Sequence, residues 1–360
     1  MSKPFVHLHT HTEYSLLDGA GRIFDLVARA KELGQPALAM TDHGVMHGLV
    51  EFYQECVKAG IKPILGCEVY LAIGAREEKV GKPGDFNHLV LYAKNREGYK
   101  NLVQVVSEGH LTGFYYKPRV DKALLREHSA GLMASSACLS GELSVLLARD
   151  DKAGAATALE EYLAIFGEGN FFVEVMNHGI EGELKVIEPL RDLAYKYGVP
   201  VIATNDAHYV LKKDSPAQDL LMCIDMGKKL DDPDRMRFTG DSFYLKSYEE
   251  MLETTGYEDE LDNTVLVADK VDLELEFGEM RLPRFPVPDG LSEPDHLRKL
   301  TYAGLAQRYG ERAEELRGQI DYELDIIIQK GYTAYFLIVA DFVQYAKDIG
   351  MLVGPGRGSA

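Results

Sequence analysis

The chain begins with an alternating histidine run, Val6-His7-Leu8-His9-Thr10-His11, and Asp18 follows seven residues later. Alternate residues of a strand point to the same side, so His7 and His9 would face one site together if residues 4–9 form a strand. Two imidazoles on one strand face are half of a tetrahedral zinc site, although a lone His-x-His also fits an ordinary hydrogen-bonded pair. A second pair, Asp206 and His208, ends another apolar run far along the chain. The two pairs together predict one metal site assembled by a closed sheet.

The composition is that of an ordinary globular protein, with 46% hydrophobic and 27% charged residues. No apolar run approaches the ~18 residues of a membrane helix, and no signal pattern opens the chain, so we expect a cytoplasmic protein. The four cysteines form no Cys-x-x-Cys pair, which argues against a zinc ribbon or a disulfide framework. A formal net charge of −18 is unfavourable for a free-standing DNA-binding module. It fits a cation-loaded site, or a protein whose basic surface lies elsewhere.

Seven short β-like runs alternate with amphipathic helical stretches between Phe5 and Thr204. The runs are residues 5–9, 37–41, 63–71, 88–93, 131–135, 171–176 and 200–204, and the stretches include residues 23–33, 49–59, 96–107 and 183–197. Such alternation favours parallel strands with helices outside. We therefore predict an α/β fold, a distorted (β/α)7 barrel related to the eight-fold barrel. Its active site should lie at the C-terminal ends of the strands.

Candidate metal ligands follow this rule with one exception. Residues able to bind metal lie within, at or just past the ends of five runs: His7 with His9, His43, Glu68, Cys138, and Asp206 with His208. His88 is the exception, because it opens its run instead of closing it. The sequence therefore leaves this one strand either offset or wrongly assigned.

The pattern changes after the predicted barrel. Residues 211–277 are acidic and irregular, and residues 282–290 carry three prolines, as an extended linker does. We predict a barrel domain at residues 1–280, a linker at 281–290 and a mainly helical second domain at 291–360. Helices are expected at residues 295–309, 311–330 and 336–349. The glycine-rich residues 354–360 lack the Gly-Lys-Ser/Thr of a Walker loop.

Six segments resemble, in order, the motifs of the polymerase-and-histidinol-phosphatase (PHP) domain: HLHTHTEYSLLDG, TDHG, GCEVY, NHLVLYAKN, SSACLSGE and TNDAHY. More narrowly, residues 4–270 resemble the N-terminal PHP domain of the bacterial DNA polymerase III alpha subunit family, the C-family replicative polymerases. The segments KGYTAYFLIVADFVQYAK and GPGRGSA resemble the opening of that family's palm domain. This order separates the chain from family X polymerases, in which the PHP domain follows the polymerase.

The resemblance implies a trinuclear metal site with nine ligands: His7, His9, Asp18, His43, Glu68, His88, Cys138, Asp206 and His208. It places His7, His9, Glu68 and Asp206 on one ion, and Glu68 would bridge to a second ion at His88 and Cys138. Asp18, His43 and His208 would hold the third. A cysteine thiolate favours zinc, whereas the carboxylates also admit manganese or iron.

The implied reaction is hydrolysis of a phosphoester, which in a polymerase means 3′-to-5′ exonuclease proofreading of DNA. Clustered divalent ions lower the pKa of a bound water from ~15.7 to near 7 and clamp phosphate oxygens. No separate protein base is then required.

The resemblance also bears on the rest of the chain. Gly356, Arg357 and Ser359 would lie near the phosphates of an incoming nucleotide. The catalytic aspartates of the palm would follow Ala360, so this chain alone should not polymerise DNA. The implied partners are a DNA primer-template, the remainder of the polymerase chain, the proofreading exonuclease subunit, the sliding clamp and the clamp-loader subunit.

Two other functions remain open from sequence. The barrel could be catalytically silent, with metals that stabilise a platform for the separate exonuclease subunit. It could also be a small-molecule phosphatase similar to histidinol-phosphate phosphatase, although the polymerase-like segment counts against this.

Several residues receive ordinary interpretations. His11 continues the histidine alternation but is expected to support a ligand or face solvent. Asp42 could orient an imidazole through a hydrogen bond. The remaining cysteines, at positions 56, 67 and 223, are predicted to be small buried hydrophobes. The other histidines default to the surface, a helix start or satisfied polar positions: His47, His110, His128, His178 and His296.

Overall fold

The computed structural model describes residues 3–82, 84–278 and 282–356, and the chain divides into two compact units, Met1–Leu275 and Glu276–Ala360. Within the described residues, eight strands form one mixed sheet. The strands are β1 (Ala37–Met40), β2 (Lys62–Ala72), β3 (Phe86–Ala93), β4 (Phe114–Tyr115), β5 (Lys117–Val120), β6 (Leu132–Ser135), β7 (Phe171–Val175) and β8 (Val201–Ala203). Their order is β4-β5-β2-β3-β6-β7-β8, and β1 pairs in parallel with β2.

The N-terminal segment, residues 5–11, joins the two ends of this sheet. The amide of Ala39 donates to the carbonyl of His7 at 3.0 Å, and the amide of Ala207 donates to the carbonyl of His9 at 3.1 Å. The segment is extended but forms no regular strand, and its backbone contacts both β1 and the chain just after β8. The seven predicted runs, one extended segment and six strands, thus lie side by side as the seven staves of one curled sheet. The expected α/β barrel-like class is confirmed.

The prediction that all strands run parallel is wrong for one stave. β3 is antiparallel to both β2 and β6, whereas β6–β7 and β7–β8 are parallel. The first residues of β3 therefore lie beside the last residues of its neighbours, and His88 pairs with Tyr70 near the end of β2. This reversal explains why His88 opens its run and yet lies at the same rim as the other candidate ligands.

The hairpin of β4 and β5 is the part of the sheet that was not predicted. β5 pairs in parallel with the C-terminal end of β2, where Tyr70 lies opposite Arg119. Both strands are short, and Pro118 interrupts the second. So brief a segment carries no readable alternation.

Ten helices of the first unit accompany the sheet: α1 (Ile23–Glu32), α2 (Leu49–Ala59), α3 (Arg96–Leu111), α4 (Lys122–Glu127), α5 (Glu142–Ala148), α6 (Lys152–Phe166), α7 (Glu181–Tyr197), α8 (Ser215–Met226), α9 (Tyr248–Thr255) and α10 (Glu258–Asp269). Capping residues determine where several of these helices begin or end. The Asn95 side chain accepts the amide of Gly98 at the start of α3, and Gly198 ends α7 in a left-handed conformation. The apolar faces of the helices join the inner strands in one large core.

The strands themselves are buried along their length. Every residue of β1, β6, β7 and β8 is buried, as expected for staves covered on both sides. Two buried positions in these strands are nevertheless polar, Ser135 and Glu174. Burying a carboxylate is costly unless it is paired, so Glu174 requires a specific reason.

The second unit is mainly helical in its described part. It contains α11 (Glu293–Tyr309), α12 (Ala313–Gln329) and α13 (Thr333–Asp348), which pack around a small core of Leu297, Leu324 and Leu337. In the described part of the chain, no single helix has the length and apolar character to cross a membrane. One bent pair, residues 293–329 with 333–348, meets that requirement only when its members are combined.

At Gly98 the neighbouring backbone leaves no room for a side chain. A Cβ at this position would lie 1.8 Å from the backbone carbonyl oxygen of Gly131, so Gly98→Ala must displace α3 or the start of β6. We expect a loss of about 1–3 kcal/mol or more in unfolding free energy, measured by urea denaturation. In Gly318→Ala the new methyl would meet no atom within 4 Å, and α12 should gain about 0.5–1 kcal/mol. Equal stability of the Gly98 variant and the parent would contradict this packing.

Candidate metal centre

The candidate ligands converge at the rim formed by the C-terminal ends of the parallel staves. Backbone bridges join the loops that carry them: Thr10 to Ala207, His43 to Glu68, and His88 to Gly141. In the described chain, three groups bring possible ligand atoms within 4.8 Å of one another. The groups are His11, His43 and His208; His9, His11 and Asp206; and His43, Glu68 and His88.

Glu68 is the centre of this cluster. Its Oε2 lies 2.7 Å from His43 Nδ1, and its Oε1 lies 2.9 Å from His88 Nδ1. The same carboxylate is 3.4 Å from His9 Nε2 and 3.6 Å from His11 Nε2. Cys138 Sγ lies 3.8 Å from Oε1. One carboxylate therefore contacts five side chains from four separate places in the sequence, as a bridging ligand must.

Two aspartates complete the cluster on its other side. Asp206 Oδ1 lies 3.1 Å from His11 Nε2 and 3.3 Å from His9 Nε2. Asp18 Oδ2 lies 3.0 Å from His43 Nε2 and 3.5 Å from His208 Nε2. Each aspartate thus lies between two imidazoles, and Asp18 also reaches Gln218 Nε2 at 3.4 Å.

The cluster holds an unusual set of unpaired polar atoms. Five buried atoms in it make no hydrogen bond of normal geometry, although two of them, His43 Nδ1 and Glu68 Oε2, lie 2.7 Å apart: His9 Nε2, His11 Nε2, His43 Nδ1, Glu68 Oε2 and Asp206 Oδ1. Buried polar groups are normally satisfied, so a concentration of unpaired ones requires an explanation. Imidazole nitrogens and carboxylate oxygens that face one another are the donor set of a divalent transition-metal ion. The residues present therefore fit bound metal.

Hydrogen bonds at the ring nitrogen that points away from the cluster fix the orientation of His11. The Ser15 hydroxyl donates to Asp42 Oδ1 at 2.6 Å, because the carboxylate can only accept. That hydroxyl has one proton, so His11 Nδ1, 3.0 Å away, donates to the Ser15 oxygen. His11 Nε2 is left without a proton and faces the cluster. The orienting role predicted for Asp42 is therefore consistent with these contacts, through Ser15.

His208 and His9 are oriented in a similar way. His208 Nδ1 donates to the carbonyl of Asp206 at 2.8 Å, which turns Nε2 toward Asp18. His9 Nδ1 lies 2.7 Å from Glu174 Oε1. Outer partners of this kind set the tautomer and direction of metal-binding imidazoles. The sequence reasoning missed Glu174, although a charged residue inside the apolar strand Phe171-Phe-Val-Glu-Val175 was a readable signal.

The structure changes the role of two histidines. His7 lies apart from the three groups, and its Nε2 donates to the carbonyl of Lys246 at 3.0 Å. His11, predicted to support a ligand or face solvent, is buried and belongs to two of the groups. On this segment it is His9 and His11, and not His7, that belong to the groups at the rim.

Charges within the cluster oppose the effect of burial. Burial raises the pKa of Glu68, but the imidazoles of His88, His9 and His43 hold it well below its usual value. Burial lowers the pKa of His43, yet Glu68 and Asp18 outweigh this and raise it to about 10. Burial lowers the pKa of His11 to about 3. The carboxylates are ionised, and protons or metal ions can balance their negative charge.

Unusual backbone conformations occur beside three of the candidate ligands. Leu17, Ala137 and Asp206 have positive φ angles of 63°, 60° and 42°. Non-glycine residues rarely adopt this region, and such strain tends to concentrate at functional sites. Here it directs Asp18, Cys138 and Asp206 into the rim.

The remaining sequence predictions have simple outcomes. Cys56, Cys67 and Cys223 are buried and unpaired, as expected. His178 and His110 have hydrogen-bond partners outside the three groups: Glu183 and the carbonyl of Asn205 for His178, and the carbonyl of Gly44 for His110. Gly356 is exposed, whereas Arg357 and Ser359 lie outside the described residues.

Comparison with known proteins gives two family matches. Residues 7–178 match the PHP domain, and residues 295–360 match the bacterial DNA polymerase III alpha NTPase domain. DNA polymerase III subunit alpha of Treponema pallidum is 44% identical over 99% of this chain and 31% of its own length. The subunit of Thermus aquaticus is 41% identical over 99% of this chain and 34% of its own length. The chain thus spans about a third of these relatives.

Among solved structures, an amidohydrolase from Chromobacterium violaceum matches 57% of this chain and 87% of its own. Its sequence identity is 17% and its TM-score is 0.35, which is too low to carry an argument.

Proposed function

Because the chain belongs to the bacterial DNA polymerase III alpha subunit family and carries its PHP domain, we propose that the barrel is a metal-dependent 3′-to-5′ exonuclease. It removes nucleotides from the 3′ end of DNA by hydrolysing phosphodiester bonds. The observation that supports this most is the set of five unpaired buried atoms at the rim. These atoms come from distant parts of the chain and face one another, as the ligands of a polynuclear site do.

The proposed ligands are the residues that meet at the rim: His9, His11, Asp18, His43, Glu68, His88, Cys138, Asp206 and His208. Glu68 bridges, because it contacts members of each group. The family resemblance implies three ions, which these residues would hold between them, and the histidine and cysteine donors favour zinc over manganese or iron. Bound divalent ions supply a hydroxide near neutral pH and neutralise charge on the phosphate.

The chain's own residues define how a phosphate reaches the rim. The side chains of His9 and His11 are fully buried, whereas those of Asp18 and His43 are 30% and 17% exposed. Substrate therefore approaches from the side of Asp18 and His43. The packed interior of the barrel excludes water from the buried side, which strengthens every charge interaction in the site.

The wider role of the protein follows from its relatives. We propose that the whole protein is a DNA-directed DNA polymerase in bacterial replication, acting in the cytoplasm, and that residues 291–360 begin its palm. Its partners would be primer-template DNA, the exonuclease subunit, the sliding clamp and the clamp loader. The charge of −18 means that basic surface from these parts must help to hold DNA.

The direct test is digestion of a 5′-labelled primer annealed to a template, with protein purified without chelators and supplied with zinc or manganese. We expect a ladder of products shortened from the 3′ end. His43→Ala and Asp206→Ala, each checked for folding, should lose at least about 100-fold in rate. Losing a residue that only supports a metal ligand already lowers activity by up to about that factor. His128→Ala, altered away from the rim, should retain the rate.

The same preparation separates the rival functions. Hydrolysis of small phosphomonoesters without primer shortening would identify a small-molecule phosphatase. No hydrolysis of either substrate, with metal bound by elemental analysis, would identify a structural platform.

A further inference from the structure

A polar layer crosses the barrel directly beneath the candidate metal centre. Five consecutive staves each contribute one buried residue to it: Tyr92 from β3, Ser135 from β6, Glu174 from β7, Thr204 just after β8 and His9 from the N-terminal segment. Layers inside related barrels are normally filled by branched apolar side chains. A hydrogen-bonded layer at this level therefore needs a functional reason.

The hydrogen bonds of this layer all lead to Glu174. The Ser135 hydroxyl donates to Oε2 at 2.6 Å, and the Thr204 hydroxyl donates to Oε1 at 2.5 Å. Since the Ser135 proton is used, Tyr92 must donate its own hydroxyl proton to Ser135, at 3.0 Å. These two hydroxyl groups, of Ser135 and Thr204, hold the Glu174 carboxylate in one orientation.

His9 receives its own orientation from this carboxylate. A carboxylate only accepts, so His9 Nδ1, 2.7 Å from Oε1, carries the proton. In the neutral imidazole Nε2 then presents a lone pair to Asp206 Oδ1 at 3.3 Å and Glu68 Oε1 at 3.4 Å. Three acceptors face one another there, and a proton or a metal ion between them can satisfy all three.

We infer that Glu174 is a positioning residue that fixes His9 as an Nε2 ligand for the ion shared with His11 and Asp206. It acts through His9 and does not itself touch the ion or the substrate. This inference rests on the proposed function, because it presumes that the rim binds metal. It adds a carboxylate from β7 to the site, a stave that supplies none of the nine proposed ligands.

The test compares two buried glutamates in the full chain. Glu183 forms the same kind of contact, 2.7 Å between Oε1 and His178 Nδ1, but His178 uses Nε2 on the carbonyl of Asn205 and lies outside the three groups. Glu174→Gln and Glu183→Gln therefore make the same chemical change, one at a histidine of the three groups and one at a histidine outside them. Zinc affinity is measured by competition with a chelating indicator, and bound ions are counted by native mass spectrometry.

We expect Glu174→Gln to weaken one ion by about 10–100-fold, the range for an outer partner of a metal-binding histidine, while Glu183→Gln binds as the parent does. Unchanged affinity for every ion in Glu174→Gln would overturn the inference and leave the proposed function intact. A parent chain that binds no zinc would instead overturn the proposed function, and the inference with it.

A second variant covers the case in which Glu174→Gln does not fold. Thr204→Val removes one donor to the carboxylate and keeps the shape of the side chain. The same ion should then be weakened several-fold, with the unfolding temperature of the metal-free protein reported beside it. An affinity equal to that of the parent would overturn the inference.

Discussion

Replacing Glu68 by glutamine is expected to abolish metal-dependent activity. This carboxylate lies within 4 Å of His9, His11, His43, His88 and Cys138, so no group at the rim is independent of it. Glutamine keeps the size of the side chain but removes the charge that holds several cations together. Ion affinity should fall by more than ~100-fold, beyond the loss of any outer partner, and primer shortening should disappear.

The measurement for Glu68→Gln is the number of zinc ions retained after gel filtration, together with the rate of primer shortening. Glu142→Gln is the matched control, because Glu142 pairs with Lys122 and Tyr162 and takes no part in the three groups. Retention of all ions by the Glu68 variant would show that this carboxylate does not bridge the site.

His11→Gln is expected to reduce ion binding and activity far more than His7→Gln does. His11 Nε2 is unpaired, faces Asp206 and Glu68, and its ring stacks on those of His43 and His208 at 4.0 and 4.3 Å. His11→Gln should lose the ion that Nε2 would hold and at least about 100-fold in activity. His7→Gln should keep the bound ions and the activity, because the imidazole that it removes is bonded to the carbonyl of Lys246.

The pair is informative because the two changes are identical and lie four residues apart on one segment. His7→Gln should cost stability, about 1–3 kcal/mol if its buried hydrogen bond is lost, which thermal unfolding of the metal-free protein would detect. The reverse pattern, with ions lost at position 7 and kept at position 11, would show that the N-terminal segment is displaced by two residues from the register described here.

That contrast also shows how far sequence reasoning can go. Period-two alternation predicted that His7 and His9 face one site and that His11 continues the pattern. It cannot tell how deep along the barrel each residue lies, because depth depends on where the neighbouring staves end. Hydrogen bonds from Ala39 and Ala207 to the segment set that depth, and they place His9 and His11 at the rim.

The direction of β3 escaped prediction for a related reason. An apolar run reads the same in either direction, and the rule that joins strand, helix and parallel strand assigned it the common direction. His88 was the only hint, since a ligand at the start of a strand fits the rim only if that strand is reversed. Glu174 escaped prediction because ligands in such barrels come from the strand ends, whereas Glu174 acts from inside β7.

The central claim is that divalent ions occupy the space between the unpaired atoms of the rim. Crystals of the full chain grown with zinc, measured above and below the zinc absorption edge, test it most directly. Anomalous peaks are expected about 2.0–2.2 Å from His9 Nε2, His11 Nε2 and the Glu68 carboxylate, with none at His7. A rim that is empty in such crystals, or zinc bound only at surface residues, would contradict the account.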